Sequence, residues 1–317
     1  MDEGLPPRIP FHPDLVLHHD EGCVVTGMEG EVLWLDQALL PKSEVSIPYP
    51  MRIHRAAISQ QHLHAMWLDR ELLLAHMGSL PIGSCENGVG RDVLRTSLHT
   101  STTYRPAGHS WSHALDAEPM ALAAQGDALV FALYNRGLYC TSAEASEKWR
   151  RPPPSWSYPK KRPRNDDIVS IHLSQERIFV ASRGGRIQCR YLSTGNVAEE
   201  YLLPGVEGPI EHYFRHETDE LICNTNGEVL WFREQHLLQK ALLSGPVQHA
   251  TWDNRLLGWR IAGWREEAVM STQQTARRAT DEIPVHIHPI ESGALILFND
   301  GSWENSSFES SIPREEE

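Results

Sequence analysis

Short runs of aliphatic, β-branched and aromatic residues recur along the chain, and turn residues separate them. Cys23–Thr26 and Ile178–Ser182 are two such runs. Segments with the 3.6-residue period of an amphipathic helix are rare, whereas the runs have the length and composition of β-strands. The pattern therefore predicts an all-β protein.

One pentapeptide, Gly-Glu-Val-Leu-Trp, occurs at residues 30–34 and again at 227–231, each time after a short β-prone run. Glycine is favoured in tight hairpin turns because it adopts positive φ at little cost. A glycine-free copy of the same strand, turn, strand unit covers residues 65–75, and further copies surround Gly137, Gly185, Gly263 and Gly301. The spacing predicts seven units of about 40 residues, the period of four-stranded blades.

The unit formed by Ile178–Ser182, a glycine turn and Ile187–Gly195 resembles the repeats of WD-repeat and quinoprotein-like propellers. The Trp-Asp dipeptide that ends typical WD repeats is missing from the expected positions, so the resemblance concerns architecture. It implies a single closed β-propeller of about seven four-stranded blades over residues 1–310. We expect Phe11–Val16 to lie beside the last blade and to close the propeller.

Two segments depart from the strand pattern. Residues 76–119 are rich in Gly, Ser, Thr and His, and we expect one long inserted loop there, either a mobile loop or a lid or partner-docking arm. The acidic tail, residues 311–317, is predicted to be disordered.

A basic, proline-rich segment covers residues 148–164 and carries seven positive charges and no negative ones, in a chain with a net charge of -13. It is predicted to be an inter-blade loop. Three roles are open: holding phosphates while rings stack on bases, docking an extended backbone on a partner, or linking blades. The candidate partner-binding residues are Lys148, Arg150, Arg151, Trp156, Tyr158, Lys160, Lys161, Arg162 and Arg164.

Tryptophans are expected to fill the space between neighbouring blades, where large rings bury the most surface. Within or beside predicted strands lie Trp34, Trp67, Trp231, Trp252, Trp259, Trp264 and Trp303. Trp156, in the basic segment, is the predicted exception.

Two histidine pairs have the spacing of metal ligands on one face of a strand, His62 with His64 and His286 with His288. Two ligands do not complete a site. Most of the 17 histidines are expected to form hydrogen bonds inside the fold. No cofactor is predicted.

No catalytic signature of a serine hydrolase, zinc protease or phosphate-binding loop occurs in the sequence. The adjacent cysteine pair that binds the cofactor of quinoprotein dehydrogenases is also missing. We therefore predict a non-catalytic scaffold that mediates protein–protein interactions within a complex. The alternatives are a channel-centred, metal-assisted hydrolase or lyase and a nucleic-acid-associated propeller that uses residues 148–164.

The chain begins without a basic, apolar secretion signal, and no run approaches the length of a membrane span. Its five cysteines are scattered, as in proteins with reduced thiols. These features predict a cytoplasmic protein that does not contact a membrane.

Overall fold

The computed structural model describes residues 4–84, 86–96, 106–158, 166–291, 293–306 and 308. Their antiparallel strands form seven sheets, and each sheet consists of strands that follow one another in the chain. We call these sheets blades 1 to 7. The chain divides into two compact units: residues 14–201, the four-blade unit, and residues 1–13 with 202–317, the three-blade unit.

The four-blade unit contains fifteen strands and one short helix in its described part. Blade 1 consists of β1 (Pro13–His19), β2 (Gly22–Gly27) and β3 (Val32–Asp36). Blade 2 consists of β4 (Ile53–Ser59), β5 (His62–Asp69), β6 (Leu74–Pro81) and β7 (Trp111–Leu115), with α1 (Arg91–Thr96) between β6 and β7. Blade 3 consists of β8 (Pro119–Gln125), β9 (Ala128–Leu133), β10 (Gly137–Thr141) and β11 (Glu147–Arg151). Blade 4 consists of β12 (Ile168–Ser174), β13 (Arg177–Ser182), β14 (Arg186–Tyr191) and β15 (Val197–Leu202).

The three-blade unit contains eleven strands among its described residues. Blade 5 consists of β16 (Ile210–His216), β17 (Asp219–Asn224), β18 (Glu228–Arg233) and β19 (His236–Leu242). Blade 6 consists of β20 (His249–Asp253), β21 (Gly258–Gly263), β22 (Glu266–Met270) and β23 (Thr275–Ala279). Blade 7 consists of β24 (Pro284–Ile290), β25 (Gly293–Phe298) and β26 (Trp303–Asn305).

The first strands of neighbouring blades contact one another in blades 2 to 4 and in blades 5 to 7. In the four-blade unit β8 contacts both β4 and β12, and in the three-blade unit β20 contacts both β16 and β24. This arrangement makes the first strand of a blade the innermost one. The chain is all-β and folds as a seven-bladed β-propeller, so the predicted fold class is confirmed.

The sequence repeat marks the same position in every blade, the connection between the second and third strands. In both copies of the repeated pentapeptide the glycine has positive φ, 91° at Gly30 and 87° at Gly227. The tryptophans that end the two copies, Trp34 and Trp231, are 2% and 0% exposed. Each copy therefore contributes a turn residue and a large core side chain.

The core lies between neighbouring blades. One cluster, between blades 1 and 2, contains Trp34 and Trp67, and a second, between blades 5 and 6, contains Trp231 and Trp259. Both clusters place rings where two sheets face each other, as the sequence predicts.

The N-terminal segment contacts blade 7 inside the three-blade unit, partly within the predicted range, because His12 Nδ1 lies 2.9 Å from Asn299 O, and partly before it. The backbone N–H of Ile9 donates to Gly301 O at 2.9 Å, and the side chain of Arg8 pairs with Asp300 at 2.9 Å. The predicted segment was Phe11–Val16, and its later residues belong to β1 of blade 1.

The predicted insertion, residues 76–119, is wider than the one that the structure has. Residues 82–110 connect β6 to β7, so the insertion lies inside blade 2 and both flanking strands occupy part of the predicted range. Small and polar residues in β6, Gly78 and Ser79, have the composition of a loop, yet they are buried within the sheet. The predicted disordered tail, 311–317, lies outside the described residues.

None of the helical structure in the described chain is long and apolar enough to cross a lipid bilayer. Four cysteines, Cys23, Cys140, Cys189 and Cys223, are buried free thiols. Burial raises the pKa of the Cys140 thiol to about 11, so this cysteine stays protonated at neutral pH.

Candidate functional site

Three side chains form a row across blade 3. Tyr139 on β10 is directly opposite Phe131 on β9 and opposite Arg150 on β11, so the three side chains project from one face of the sheet. The rings of Phe131 and Tyr139 are nearly parallel, with centroids 5.0 Å apart and 7° between their planes. The guanidinium carbon of Arg150 lies 5.0 Å from the centroid of the Tyr139 ring. The row therefore stacks two rings and a cation.

The opposite side of the site is β7, the outer strand of blade 2. Alternate residues of a strand share a face, which places Trp111, His113 and Leu115 together. The rings of Trp111 and His113 have centroids 5.5 Å apart. The indole N–H of Trp111 donates to Ala143 O at 2.8 Å, which ties β7 to the turn between β10 and β11.

An opening of about 420 Å³ lies between these two sides, and we call it the blade 2–3 groove. Its floor is apolar, and it includes Met77, Leu133 and the buried face of Phe131. Concave sites with an apolar floor and a few polar groups at the edge are typical of ligand-binding pockets. The groove lies entirely within the four-blade unit.

Charged side chains surround the groove. Arg150 pairs with Glu147 at 2.9 Å, and Arg136 pairs with Asp116 at 3.2 Å. The hydrogen bond from Arg150 to Glu147 raises the pKa of Arg150, so this side chain is a permanent cation at the groove edge. The arrangement offers apolar contact, a cation and hydrogen-bonding groups for binding.

The predicted basic segment has three different environments. It starts as β11, which covers Glu147–Arg151, so the predicted loop begins later than residue 148. Lys148 donates from Nζ to Asp127 at 2.9 Å and Arg151 donates to Arg150 O, whereas Arg150 lines the groove. Four of the candidate residues lie outside the described part of the chain: Lys160, Lys161, Arg162 and Arg164.

The two aromatic candidates of the basic segment contact the protein itself. Trp156 is 8% exposed and belongs to the core between blades 3 and 4. The Tyr158 hydroxyl donates to Asp166 and lies 3.0 Å from Ser182 Oγ. Burial, together with the hydrogen bond to Asp166, raises the pKa of Tyr158. Trp156 is therefore no exception to the packing role, whereas Trp264, 46% exposed, is one.

The first histidine pair lies on β5, and its rings stack with centroids 6.2 Å apart. His62 Nδ1 lies 2.8 Å from Gln60 O, and His64 Nε2 lies 3.0 Å from Ser59 Oγ. Burial, and the neighbouring His62, lower the pKa of His64 to about 4. The two rings share a face as predicted. His62 also contacts Ser110 Oγ through Nε2, at 3.3 Å, so both of its ring nitrogens have partners.

The second histidine pair lies on β24, where the ring centroids of His286 and His288 are 6.5 Å apart. The ring of His286 is closer to His249 of the neighbouring blade, at 4.2 Å between centroids. Neither unit by itself brings together three His, Cys, Asp or Glu side chains with metal-ligand spacing among the described residues.

Sequence reasoning identified Arg150 and missed its neighbours Tyr139, Phe131 and Trp111. A signal for two of them was present, because Phe131 and Tyr139 stand on either side of the predicted turn at Gly137 and pair across it. No such signal existed for Trp111, since residues 82–110 separate it from the rest of blade 2.

No family model and no curated protein matches the chain. Solved structures match over nearly its whole length. The WD40 β-propeller domain of Doa1 has 11% identity and a TM-score of 0.61, with 94% of each chain covered. The β-propeller domain of Myceliophteria thermophila Cps50 (Swd1) has 10% identity and a TM-score of 0.65, covering 95% of this chain and 98% of that one.

A third similar structure is BamB from Moraxella catarrhalis, with 10% identity and a TM-score of 0.58, covering 96% of this chain and 97% of that one. At such identities the likeness shows the fold alone. The resemblance predicted from the repeats is confirmed at the level of architecture: WD40 and BamB propellers are structural neighbours of this β-propeller.

Proposed function

We propose that this chain is a protein-interaction module whose blade 2–3 groove binds a segment of a partner protein. The WD40-type propeller is a scaffold fold commonly used for protein interactions. The observation that carries the proposal is the stacked row Phe131, Tyr139 and Arg150 on one side of the groove, with Trp111 on the other.

The residue types in the groove support this role. Tyr, Trp and Arg are the residues that most often dominate the binding energy of protein interfaces. Here one of each meets around an opening of about 420 Å³. Phe131 and Tyr139 are already stacked, so little side-chain ordering remains to oppose binding.

Association of nucleic acid with residues 148–164 has less support. That hypothesis needs exposed rings for base stacking. Trp156 packs in the core and Tyr158 bonds to Asp166, so the positive charge of the segment is its remaining basis.

The test compares three versions of the full chain as baits in extracts of the cells where it is native. The groove variant is Tyr139→Ala with Arg150→Glu. The control variant is Tyr191→Ala with Arg177→Glu, because Arg177 also stacks on Tyr191, at 4.2 Å, away from the groove. Bound proteins are quantified by mass spectrometry after chemical crosslinking.

We expect at least one protein to bind the wild type and the control variant and to fall by about tenfold or more with the groove variant, as removal of an interface hot spot predicts. Melting curves establish that all three baits are folded. An identical set of bound proteins for the three baits would contradict the proposal.

A further inference from the structure

The strand that forms one side of the groove is the outer strand of its blade. In blade 2 the order is β4-β5-β6-β7, and the described residues contain no strand beyond β7. Proteins usually protect such edges with charges, prolines or bulges. The outer strands β11, β15, β19 and β23 all contain Lys, Arg or Glu, whereas Trp111–Leu115 has none of these and no register shift against β6.

The hydrogen bonds of β6 reveal which backbone groups of β7 point outward. Ile82 N donates to Gln61 O at 2.8 Å, so even-numbered residues of β6 face β5 and odd-numbered ones face β7. Met77 pairs with His113, which directs the N–H and C=O of His113 to β6. The N–H and C=O of Ser112 and Ala114 therefore point away from the blade.

These outward groups stand beside the groove. A strand added next to β7 would place alternate side chains on the face of Trp111 and Leu115, toward the row of Tyr139 and Arg150. The opening has the apolar floor that such side chains need. The edge and the groove together fit an extended peptide better than a helix, because a helix leaves no backbone groups for Ser112 and Ala114.

The positive charge of Arg150 favours a peptide with an acidic side chain. Arg150 is 60% exposed in its side chain and pairs with Glu147, while the nearby Asp116 pairs with Arg136. In sequence it belongs to a segment with seven positive charges and no negative ones. A second carboxylate, from a peptide, is attracted to this position.

We propose that β7 accepts an extended peptide of a partner protein as a fifth strand of blade 2. Apolar side chains at alternate positions of the peptide enter the blade 2–3 groove, and an acidic side chain reaches Arg150. This inference rests on the proposed function, since it specifies how the groove binds its partner.

The experiment starts from a displayed library of random peptides of about 12 residues, a length that spans β7 with flanks on both sides. Peptides are selected on the full wild-type chain and depleted on the Tyr139→Ala, Arg150→Glu variant. Each peptide that remains is then synthesised with one N-methylated backbone position at a time, and its Kd is measured by fluorescence anisotropy.

We expect N-methylation to weaken binding by about tenfold at every second position and to have little effect between them, because only alternate N–H groups of a strand face β7. Ala114→Pro, which removes one outward N–H, should weaken binding by a similar factor. Ala279→Pro on β23, the outer strand of blade 6, is the matched control: Thr280 N donates to Arg265 O, so the N–H of Ala279 points outward as that of Ala114 does. Melting curves verify that both variants fold. The selected sequences should contain an Asp or Glu whose replacement by Asn or Gln loses affinity only when Arg150 is present.

Two negative outcomes are distinguishable. If no selected peptide depends on Tyr139 and Arg150, the groove does not bind peptides and the proposed function fails with the inference. If peptides depend on these residues but tolerate N-methylation, or lose affinity with a period of three to four residues, strand addition alone is wrong.

Discussion

At the residue scale, composition did not determine which aromatic side chains are buried. Trp156 lies among prolines and basic residues, yet it packs between blades 3 and 4. Trp264 lies in a predicted strand region, yet it is 46% exposed, because it occupies the turn between β21 and β22. Whether a ring is buried depends on which sheet packs against it, and no local sequence pattern encodes that packing.

This contrast gives a prediction for stability. Trp156→Ala removes a buried ring and should lower the free energy of unfolding by about 3–5 kcal/mol. Trp264→Ala removes a half-exposed ring and should cost less than about 1 kcal/mol. Urea denaturation followed by circular dichroism measures both, and equal losses would contradict the assignment of Trp156 to the core.

Buried histidines make a second prediction at this scale. The pKa of His64 is about 4 in the folded chain, below the usual 6.5, because burial disfavours the charged ring. When folding lowers the pKa of a histidine, the unfolded chain binds a proton at a higher pH than the folded chain does. The free energy of unfolding therefore falls as the pH drops from about 6.5 to 4. A change of the pKa from 6.5 to about 4 corresponds to about 3 kcal/mol in the free energy of unfolding.

The measurement is the pH dependence of urea denaturation for wild type and His64→Gln. We expect the variant to have a slope smaller by about one proton between pH 6.5 and 4. His113→Gln, at an exposed histidine of the same blade, is measured beside it to separate the effect of burial from that of replacing any histidine by glutamine. A wild-type slope in His64→Gln would overturn the prediction.

At the element scale, the repeated hairpin turn depends on the backbone of one residue. Gly227 has a φ of 87°, and a Cβ built there would lie 2.5 Å from Gly245 O. Both the dihedral angle and the close approach exclude other residues. A glycine with positive φ occupies the corresponding turn in five of the seven blades, at Gly30, Gly137, Gly185, Gly227 and Gly301, which explains why glycine spacing was a useful guide to the fold.

Gly227→Ala should therefore lower the free energy of unfolding by more than about 2 kcal/mol. Gly126 is the matched control: its φ is 55°, but a Cβ there meets no atom within 4 Å. Gly126→Ala should cost only the conformational strain, about 1 kcal/mol. An equal loss in the free energy of unfolding for the two substitutions would show that the close approach of Gly245 O is not the reason for a glycine at position 227.

Element boundaries in blades 2 and 3 were harder to predict than the elements themselves. The sequence of β6 includes Gly78 and Ser79, and that of β11 is mostly charged, so both resemble loops. Each becomes a strand because a neighbouring strand supplies hydrogen-bond partners in register. Pairing of this kind depends on tertiary contacts. These contacts contribute more free energy than the local strand propensity of the residues.

At the scale of the whole molecule, the first residues of the chain complete the packing around its last blade. Ile9 is 2% exposed, its N–H bonds to Gly301 O, and Arg8 pairs with Asp300. Burying an isoleucine contributes about 1.5–3 kcal/mol, and one backbone hydrogen bond adds about 1 kcal/mol.

Deleting residues 1–10 should thus destabilise the chain by about 3 kcal/mol, as measured by urea denaturation. Deleting residues 311–317, the predicted disordered tail, is the control and should change the stability by less than about 0.5 kcal/mol. Equal stability of the first deletion and the wild type would contradict the role of Ile9.

The fold followed from sequence because its unit repeats. Two identical pentapeptides and five related turns predicted the all-β class, the number of blades and the positions of the buried tryptophans Trp34 and Trp231. Each of these features is local in the chain and recurs at a similar spacing.

The groove depended on the tertiary structure. Trp111 and Tyr139 belong to different blades, and the strands β8 and β9 lie between theirs in the chain. Which two surfaces meet is decided by how neighbouring sheets pack, a property of many distant residues at once. The sequence therefore revealed Arg150 as a cation, and only the packing of blade 2 against blade 3 gave that cation its aromatic surroundings.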